Sequence, residues 1–413
     1  MVMKNIVILS LLSIFLFSSC KKNNPLPDPV PINLNQKAKA MVTANNRFGL
    51  ELFKQMSETG LATTNIMISP LSVSAALSMT YNGARAQTRE AFDNTLHFTG
   101  LSLQEVNQSS KDLTDALLTV DPKVTLSIAN SIWYKQGFSV ESDFIVRNQT
   151  YYNAEVQSLD FGASQSVNTI NHWVDENTNH KISNIVEILN PEDRMLLINA
   201  IYFKGEWRNR FNASETASKP FYLENGQSVT TRMMQTTGTY SYFENELLDA
   251  LEMPYGQGNF SMVVLLPKAG YHVNDILDTL DAEVWSDWQD QLVSIEEVPV
   301  TFPKFEFSYD KSLKETLSAM GLSEAFSDYA DFTGINKDGG LSISEVKHKT
   351  YINVDEEGTE AAAVTAVTVG ATSAGPGQPF VADHPFVFII KEKFTKAILF
   401  IGVVAEPSPV GEE

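Results

Sequence analysis

Residues 355–373 read DEEGTEAAAVTAVTVGATS. Three acidic residues and a glycine are followed by small and β-branched side chains, without one large apolar anchor. A packed core element wants bulk, because small side chains bury little area, and an exposed loop usually carries more Pro, Asn and Asp. Read with period two from Thr359, one face carries Thr359, Ala361, Ala363, Thr365, Val367, Val369 and Ala371, and the other Glu360, Ala362, Val364, Ala366, Thr368 and Gly370. The charge of Glu360 falls on one face alone, so the Thr359 face can lie over a core while Glu360 stays wet. The stretch reads as a strand held in reserve.

Around it the chain has the composition of a folded protein: 413 residues, 43% hydrophobic and 19% charged, ample for a large core. Its first residues, MVMKNIVILSLLSIFLFSSC, carry Lys4, an apolar run from Ile6 to Phe17 and then small residues up to Cys20. That is the pattern of a secretory signal over residues 1–19, too short for a membrane span. Cys20 is the single cysteine and sits where a bacterial lipoprotein signal places the residue to be lipidated. Residues 20–37, rich in proline and without periodicity, read as a tether holding the domain off a membrane. The expected location is an exported lipoprotein anchored at the cell envelope, the alternative a secreted protein. Formal net charge is -20. Removal of residues 1–19 deletes only Lys4 and leaves 29 basic against 50 acidic residues, which argues against nucleic acid and anionic polysaccharide, heparin included, as partners.

Taken in order, the periodicity predicts a helix from Ala38 to Thr59 stopped by Gly60, and a short strand at Asn65. A helix to Asn82 follows, with Ser69 as N-cap and Pro70 in its first turn. Further helices are expected over 86–96 and 102–119, and a strand from Val124 with Val124, Leu126, Ile128, Ile132 and Tyr134 on one face. Residues 139–190 read as mainly helical, with an extended piece at 154–159. Met195 to Trp207 is apolar on both faces, as in a central strand, with Asn199 alone inside it. Strands and turns follow to Pro267, then helix over 272–292 and strand from Val298 to Asp310. Val346, His348, Thr350, Ile352 and Val354 share the apolar face of another strand, and the last segment is a hairpin turning near Lys393. No repeat or compositional break divides residues 38–408, which are read as one mixed domain, with 409–413 a short tail.

Five stretches in this order, NIMISPLSVSAALSMTYNGA, LLINAIYFKGEW, LEMPYGQGNFSMVVLLP, LSISEVKHKTYINVDEEGTEAAA and ADHPFVFII, resemble the serpins from about Lys39 to Pro407. The resemblance implies an α+β fold of three sheets and eight or nine helices with an exposed reactive loop. It implies suicide-substrate inhibition of serine-type endopeptidases, with cysteine proteases a further class: the loop is cut, the acyl-enzyme is trapped, and the segment before the cut enters the main sheet. Family spacing counted from Glu356 selects Thr372 and Ser373 as the reactive bond, with Ala371 and Ala374 as register alternatives. These small uncharged residues suit a protease of elastase or subtilisin type. The hinge would comprise Glu356, Glu357, Gly358, Thr359, Glu360, Ala361, Ala362, Ala363, Val364 and Thr365. Ser69, Ser72, Asn199 and His348 match the polar cluster that serpins place beneath the main sheet, and Trp207 matches the residue where insertion begins. A membrane contact through lipid on Cys20 and a monomer are expected, and the alternative function is a non-inhibitory binding protein on the same fold.

Other chemistries find no foothold. Residues 336–344, NKDGGLSIS, lack the spaced acids of a calcium loop and read as a turn. The six histidines show no metal-binding spacing, and there is no nucleophile elbow, phosphate loop or dinucleotide fingerprint. No metal, cofactor or catalytic residue is therefore assigned, and an enzyme is not expected.

Overall fold

A computed structural model describes residues 27–57, 64–359 and 377–407. Its α-helices are α1 (Gln36–Ser57), α2 (Pro70–Tyr81), α3 (Ala86–Thr95), α4 (Leu103–Thr119), α5 (Ser142–Tyr152), α6 (Ser164–Asn177), α7 (Val273–Thr279), α8 (Ala282–Gln291) and α9 (Lys314–Leu317). The strands are β1 (Ile66–Ile68), β2 (Val124–Lys135), β3 (Glu155–Leu159), β4 (Met195–Glu206), β5 (Ala217–Tyr222), β6 (Ser228–Glu244), β7 (Leu248–Pro254) and β8 (Phe260–Pro267). They continue as β9 (Val293–Pro303), β10 (Phe305–Ser312), β11 (Lys347–Val354), β12 (Gly358–Thr359), β13 (Phe380–Val381), β14 (Phe386–Glu392) and β15 (Ile398–Val404). No helix among the described residues is long and apolar enough to cross a membrane.

Hydrogen bonding joins these strands into two networks. One runs β10-β11-β12-β4-β2-β3, and the other is nine-stranded, built on β1-β15-β14-β8-β7-β6-β9-β13 with β5 on β6. The strands of two expected sheets are continuous because β6 is long: it pairs with β5 at its start, β9 through its middle and β7 at its end. The centre of the nine-stranded network is dry. Every residue of β8, β14 and β15 is buried, which is what makes these segments apolar on both faces. The C-terminal hairpin turns as expected, its loop held by Glu392 accepting from the Phe394 and Thr395 amides.

Helix α2 positions the site. The Ser69 hydroxyl caps it by accepting from the Ser72 amide at 3.2 Å, Pro70 occupies its first turn, and its buried face lies beneath β4. Strand β11 alternates as read from the sequence, with His348, Thr350, Ile352 and Val354 buried.

Two expectations are corrected. Helix is not maintained across 139–190: α6 ends at Asn177, Asn179 and His180 adopt positive φ of 52° and 61°, and the chain runs without helix to Met195. The side chains of Asn, Thr and His at 177–180 bond locally and unwind the turn, and Asn177 Nδ2 and Thr178 Oγ1 take up carbonyls of the last turn. The N-terminal tether is shorter than read, because from Pro27 to Asn35 it lies against the body of the molecule. Gly60, Cys20 and the tail fall outside the described residues.

Candidate functional site

Strands β4 and β11 run in the same direction, and between their upper ends sits β12, two residues long. Gly358 and Thr359 pair with Glu206 and Gly205 of β4 on one side, and Thr359 pairs with Val354 of β11 on the other. The approach is so close that a Cβ on Gly358 would lie 2.1 Å from the Gly205 carbonyl oxygen. Only glycine fits there. Thr359 faces inward, 3% exposed, its hydroxyl 2.6 Å from that of Tyr255. Tyr255 in turn stacks on Trp207 with ring centroids 4.4 Å apart.

The turn before this wedge is satisfied group by group. The Trp207 amide donates to Glu357 O at 2.8 Å and its indole Nε1 to Asp355 O at 2.9 Å. Asp355 accepts through Oδ1 from the Glu357 and Gly358 amides at 2.9 and 3.1 Å. Burial raises the Asp355 carboxyl above the ordinary range, against the pull of those two amides. Glu356 goes the other way: burial works to raise it, but the bonds from Lys304 at 2.8 Å and Thr216 at 2.7 Å prevail and hold it low.

Below β12 no strand among the described residues lies between the two. The gap widens into a cleft of about 240 Å³ floored by Ser72, Val73, Ala76, Leu77 and Thr80 of α2 and walled by Met195, Leu197 and Asn199 on one side and His348 on the other. This explains why β4, apolar on both faces in sequence, is only half-buried over Met195–Leu197.

At the top of that cleft the polar residues meet. His348 Nε2 accepts from the Ser69 amide at 3.0 Å, which requires the neutral ring. Burial pushes its pKa down to about 4. The Ser72 hydroxyl donates to Asn199 Oδ1, Asn199 Nδ2 to Asn130 Oδ1 at 2.5 Å, and Asn130 Nδ2 to Tyr152 O at 2.7 Å. The structure thus brings Ser69, Ser72, Asn199 and His348 together. Ser69 serves twice, its hydroxyl capping α2 and its amide holding His348. Asn130 was missed, yet it is the one polar residue interrupting the Val124-to-Tyr134 apolar face, and it lies directly opposite Asn199 in the β2–β4 ladder. Tyr255, Lys304 and Thr216 carry no such signal in sequence.

Glu356, Glu357, Gly358 and Thr359 are placed as described. Glu360, Ala361, Ala362, Ala363, Val364, Thr365 and the bond region Ala371 to Ala374 lie outside the described residues. Residues 336–340 form a turn, with the Asp338 amide bonded to Asn336 Oδ1 at 2.8 Å. Among the described residues Asp175, Glu176 and His180 bring potential ligand atoms within 4.8 Å of one another. The exposed His180–Asp175 hydrogen bond of 2.6 Å accounts for that grouping without an ion.

The sequence profile of a family described as Serpin (serine protease inhibitor) matches residues 43–407. The leukocyte elastase inhibitor of Bos taurus is 34% identical over 375 residues, covering 88% of this chain and 98% of the relative. Human thyroxine-binding globulin, solved in complex with its ligand, superposes with a TM-score of 0.82 at 30% identity over 90% of this chain and 100% of that one. A thermophilic serpin, Tengpin, in the native state, gives 0.81 at 33% identity, covering 92% and 97%.

Proposed function

The chain belongs to the serpin family, whose members include protease inhibitors and are generally inhibitors rather than catalysts, and from that premise we propose that it traps serine-type endopeptidases as a suicide substrate. The observation that carries this reading is the two-residue β12 wedge above a gap between β4 and β11 that no described strand fills. It is the first step of a strand addition that the sequence is able to complete. Continued six residues in the antiparallel register of Thr359, an inserted strand would bring Thr365 opposite both Asn199 and His348. It shares the inward face of Thr359, and its small hydroxyl-bearing side chain suits the polar cluster it would meet. The side chains between them are Glu, Ala and Val, and in such a strand the charge of Glu360 would fall on the outward face.

The driving force comes from backbone groups. About ten inserted residues would exchange solvated peptide groups for sheet hydrogen bonds worth roughly 1 kcal/mol net each, on the order of 10 kcal/mol in all. In this reading a protease cuts between Thr372 and Ser373 and stays esterified to Thr372. Insertion then carries it roughly 40 Å along the sheet, at ~3.3 Å per residue for about a dozen residues. Targets of elastase or subtilisin type follow from the small uncharged residues at Ala371 to Ala374. Lipid on Cys20 would anchor the inhibitor at the cell envelope, protecting the producing cell. The likeness to thyroxine-binding globulin favours a second reading, a carrier of a small ligand.

Incubation with elastase-like, subtilisin-like and trypsin-like proteases tests the proposal. An SDS-stable complex with one of the first two and a cut at Thr372 are expected. Turnover of the chain by all three with no stable complex would refute inhibition and leave the carrier reading.

A further inference from the structure

Past residue 376 the chain rejoins the body through a thin attachment. β13 is the two-residue edge of the nine-stranded network, parallel to β9, with Phe380 beside Val300 and Val381 beside Thr301. Backbone bonds flank that pairing, from the Gly377 amide to Glu297 O and from the Ala382 amide to Thr301 O, both 3.0 Å. Phe380 and Ala382 are buried, while Val381 is exposed. So short a pairing holds weakly by itself.

Two residues further on, three elements meet around His384. Its Nδ1 lies 2.9 Å from Asp383 Oδ1, and its Nε2 lies 2.9 Å from the carbonyl oxygen of Pro267, the last residue of β8. The Asp383 carbonyl accepts from the amide of Tyr222, at the end of β5, at 2.8 Å. The turn after β5 brings Glu224, which bonds His272 Nδ1 and whose charge also reaches His384. Of the flanking charged groups, Asp275 accepts from the His272 amide at 2.8 Å, and Lys268 pairs with Glu244 and Asp249. The two oxygens that face the His384 ring, a carbonyl and a carboxylate, only accept. A neutral imidazole has one N–H and serves one of them, turning a lone pair on the other, whereas the imidazolium serves both. Burial works to lower the pKa of this ring, but the bonds to Asp383 and Pro267 prevail and hold it above the ordinary 6.5.

We infer that the His384 imidazolium is a positioning group that pins β13 to the body, so that the limb following the reactive bond is fully held only while this ring carries its proton. It acts through Asp383 and Pro267, bridging the end of β8 to the residue that also ties down β5. Its consequence for inhibition rests on the insertion reading above, in which the bond between Thr372 and Ser373 is presented between two fixed ends, β12 and β13. The folded chain binds this proton more tightly than the unfolded chain. The hold is therefore whole below pH 6.5 and is lost as pH rises through the raised value. A loop with one loose end must order more residues to present its bond, so it captures protease more slowly.

The test takes the full mature chain beside His384→Arg, a permanent cation, His384→Gln, a neutral amide, and His272→Gln as a control on the neighbouring histidine. Hydrogen-exchange protection of the Ala382 and Tyr222 amides, corrected for the intrinsic pH dependence of exchange, reports the hold on β13 between about pH 6 and pH 9. A fall of about tenfold is expected in the unsubstituted chain and in His272→Gln, the factor for loss of one charge-assisted hydrogen bond at a partly exposed site. Protection should stay high throughout in His384→Arg and low throughout in His384→Gln. Protection that ignores pH in the unsubstituted chain overturns the inference, and so does a fall that persists in His384→Arg or disappears in His272→Gln. The titration of the ring itself, followed by NMR in the unsubstituted chain, needs no variant to fold: a midpoint above 6.5 is expected, and one at or below 6.5 overturns the clamp. Capture of subtilisin separates the two levels. The rate for the unsubstituted chain, divided by that for His384→Arg at the same pH, should fall by a similar factor over this range. If protection responds as expected but no chain forms a stable complex, insertion is wrong and the clamp stands; if complexes form while protection ignores pH, only the clamp is wrong.

Discussion

The two ends of one gap are built in opposite ways. At the upper end every backbone group of residues 355–359 that faces β4, β11 or the Trp207 corner has a partner, and Thr359 is sealed under Tyr255. At the lower end β4 and β11 face one another across a cleft, and near its top the Ser69 amide and the Ser72 hydroxyl, at the start of α2, link to His348 and Asn199. A sheet that simply lacked a strand would be open throughout. On the proposed reading, one that is closed at the end where the reserve strand would enter, and open where that strand would arrive, is a sheet with insertion begun and arrested. The cost of the arrest is carried by the lower half, where Met195 and Leu197 stay half-exposed.

The sharpest way to break this contrast is to spoil the sealed end. Thr359→Arg places a cation where a 3%-exposed hydroxyl meets Tyr255. An unpaired buried charge costs several kcal/mol, so inhibition should fall by about two orders of magnitude or more while the loop is still cut. The check is the ratio of complex to cleaved product on denaturing gels. Gly358→Ala is next. Its Cβ would press on Gly205 O, and about 1–3 kcal/mol of strain should lower the urea midpoint of the uncleaved chain and push the wedge out.

The lower end is probed by pH. His348 is buried neutral with its pKa near 4, below its ordinary 6.5, so the unfolded chain binds the extra proton between those values. Stability contributed by this site is whole above pH 6.5 and declines as pH falls toward 4, by roughly 3 kcal/mol in total. Asp355, raised by burial, works in the opposite direction at acid pH. The measurement is therefore the difference between the unsubstituted chain and His348→Gln, whose melting should lack the decline from 6.5 to 4. The smallest effect belongs to Lys304→Gln. The partly exposed ion pair with Glu356 contributes at most about 1 kcal/mol, a change of one or two degrees in melting temperature that vanishes in high salt.

Much of this site could be read before any coordinates. Period two in 347–354 put His348 and Thr350 on the core side, and the lone Asn199 in an apolar run demanded a partner. What stayed hidden depended on contacts between distant parts of the chain. Val30 and Asn259 are 229 residues apart, and a proline-rich segment with only Ile32 and Leu34 to bury has no period to betray that it is docked. Residues 178–190 resembled helix because their apolar residues, Ile182, Ile185, Val186 and Leu189, have helical spacing. They instead cap the Trp133–Ile170 cluster from an irregular path. The half-open state of β4 could not be inferred either, since an uncovered strand and a covered one look alike when the cover is meant to arrive later.

The central claim is that this sheet gains a strand when the loop is cut. The chain is nicked between Ala371 and Ala374, freed of protease, and melted beside the uncut chain. Gain on the order of 10 kcal/mol in a domain of this size predicts a melting temperature higher by more than about 10 °C. Equal melting temperatures for the cut and uncut chains would contradict it.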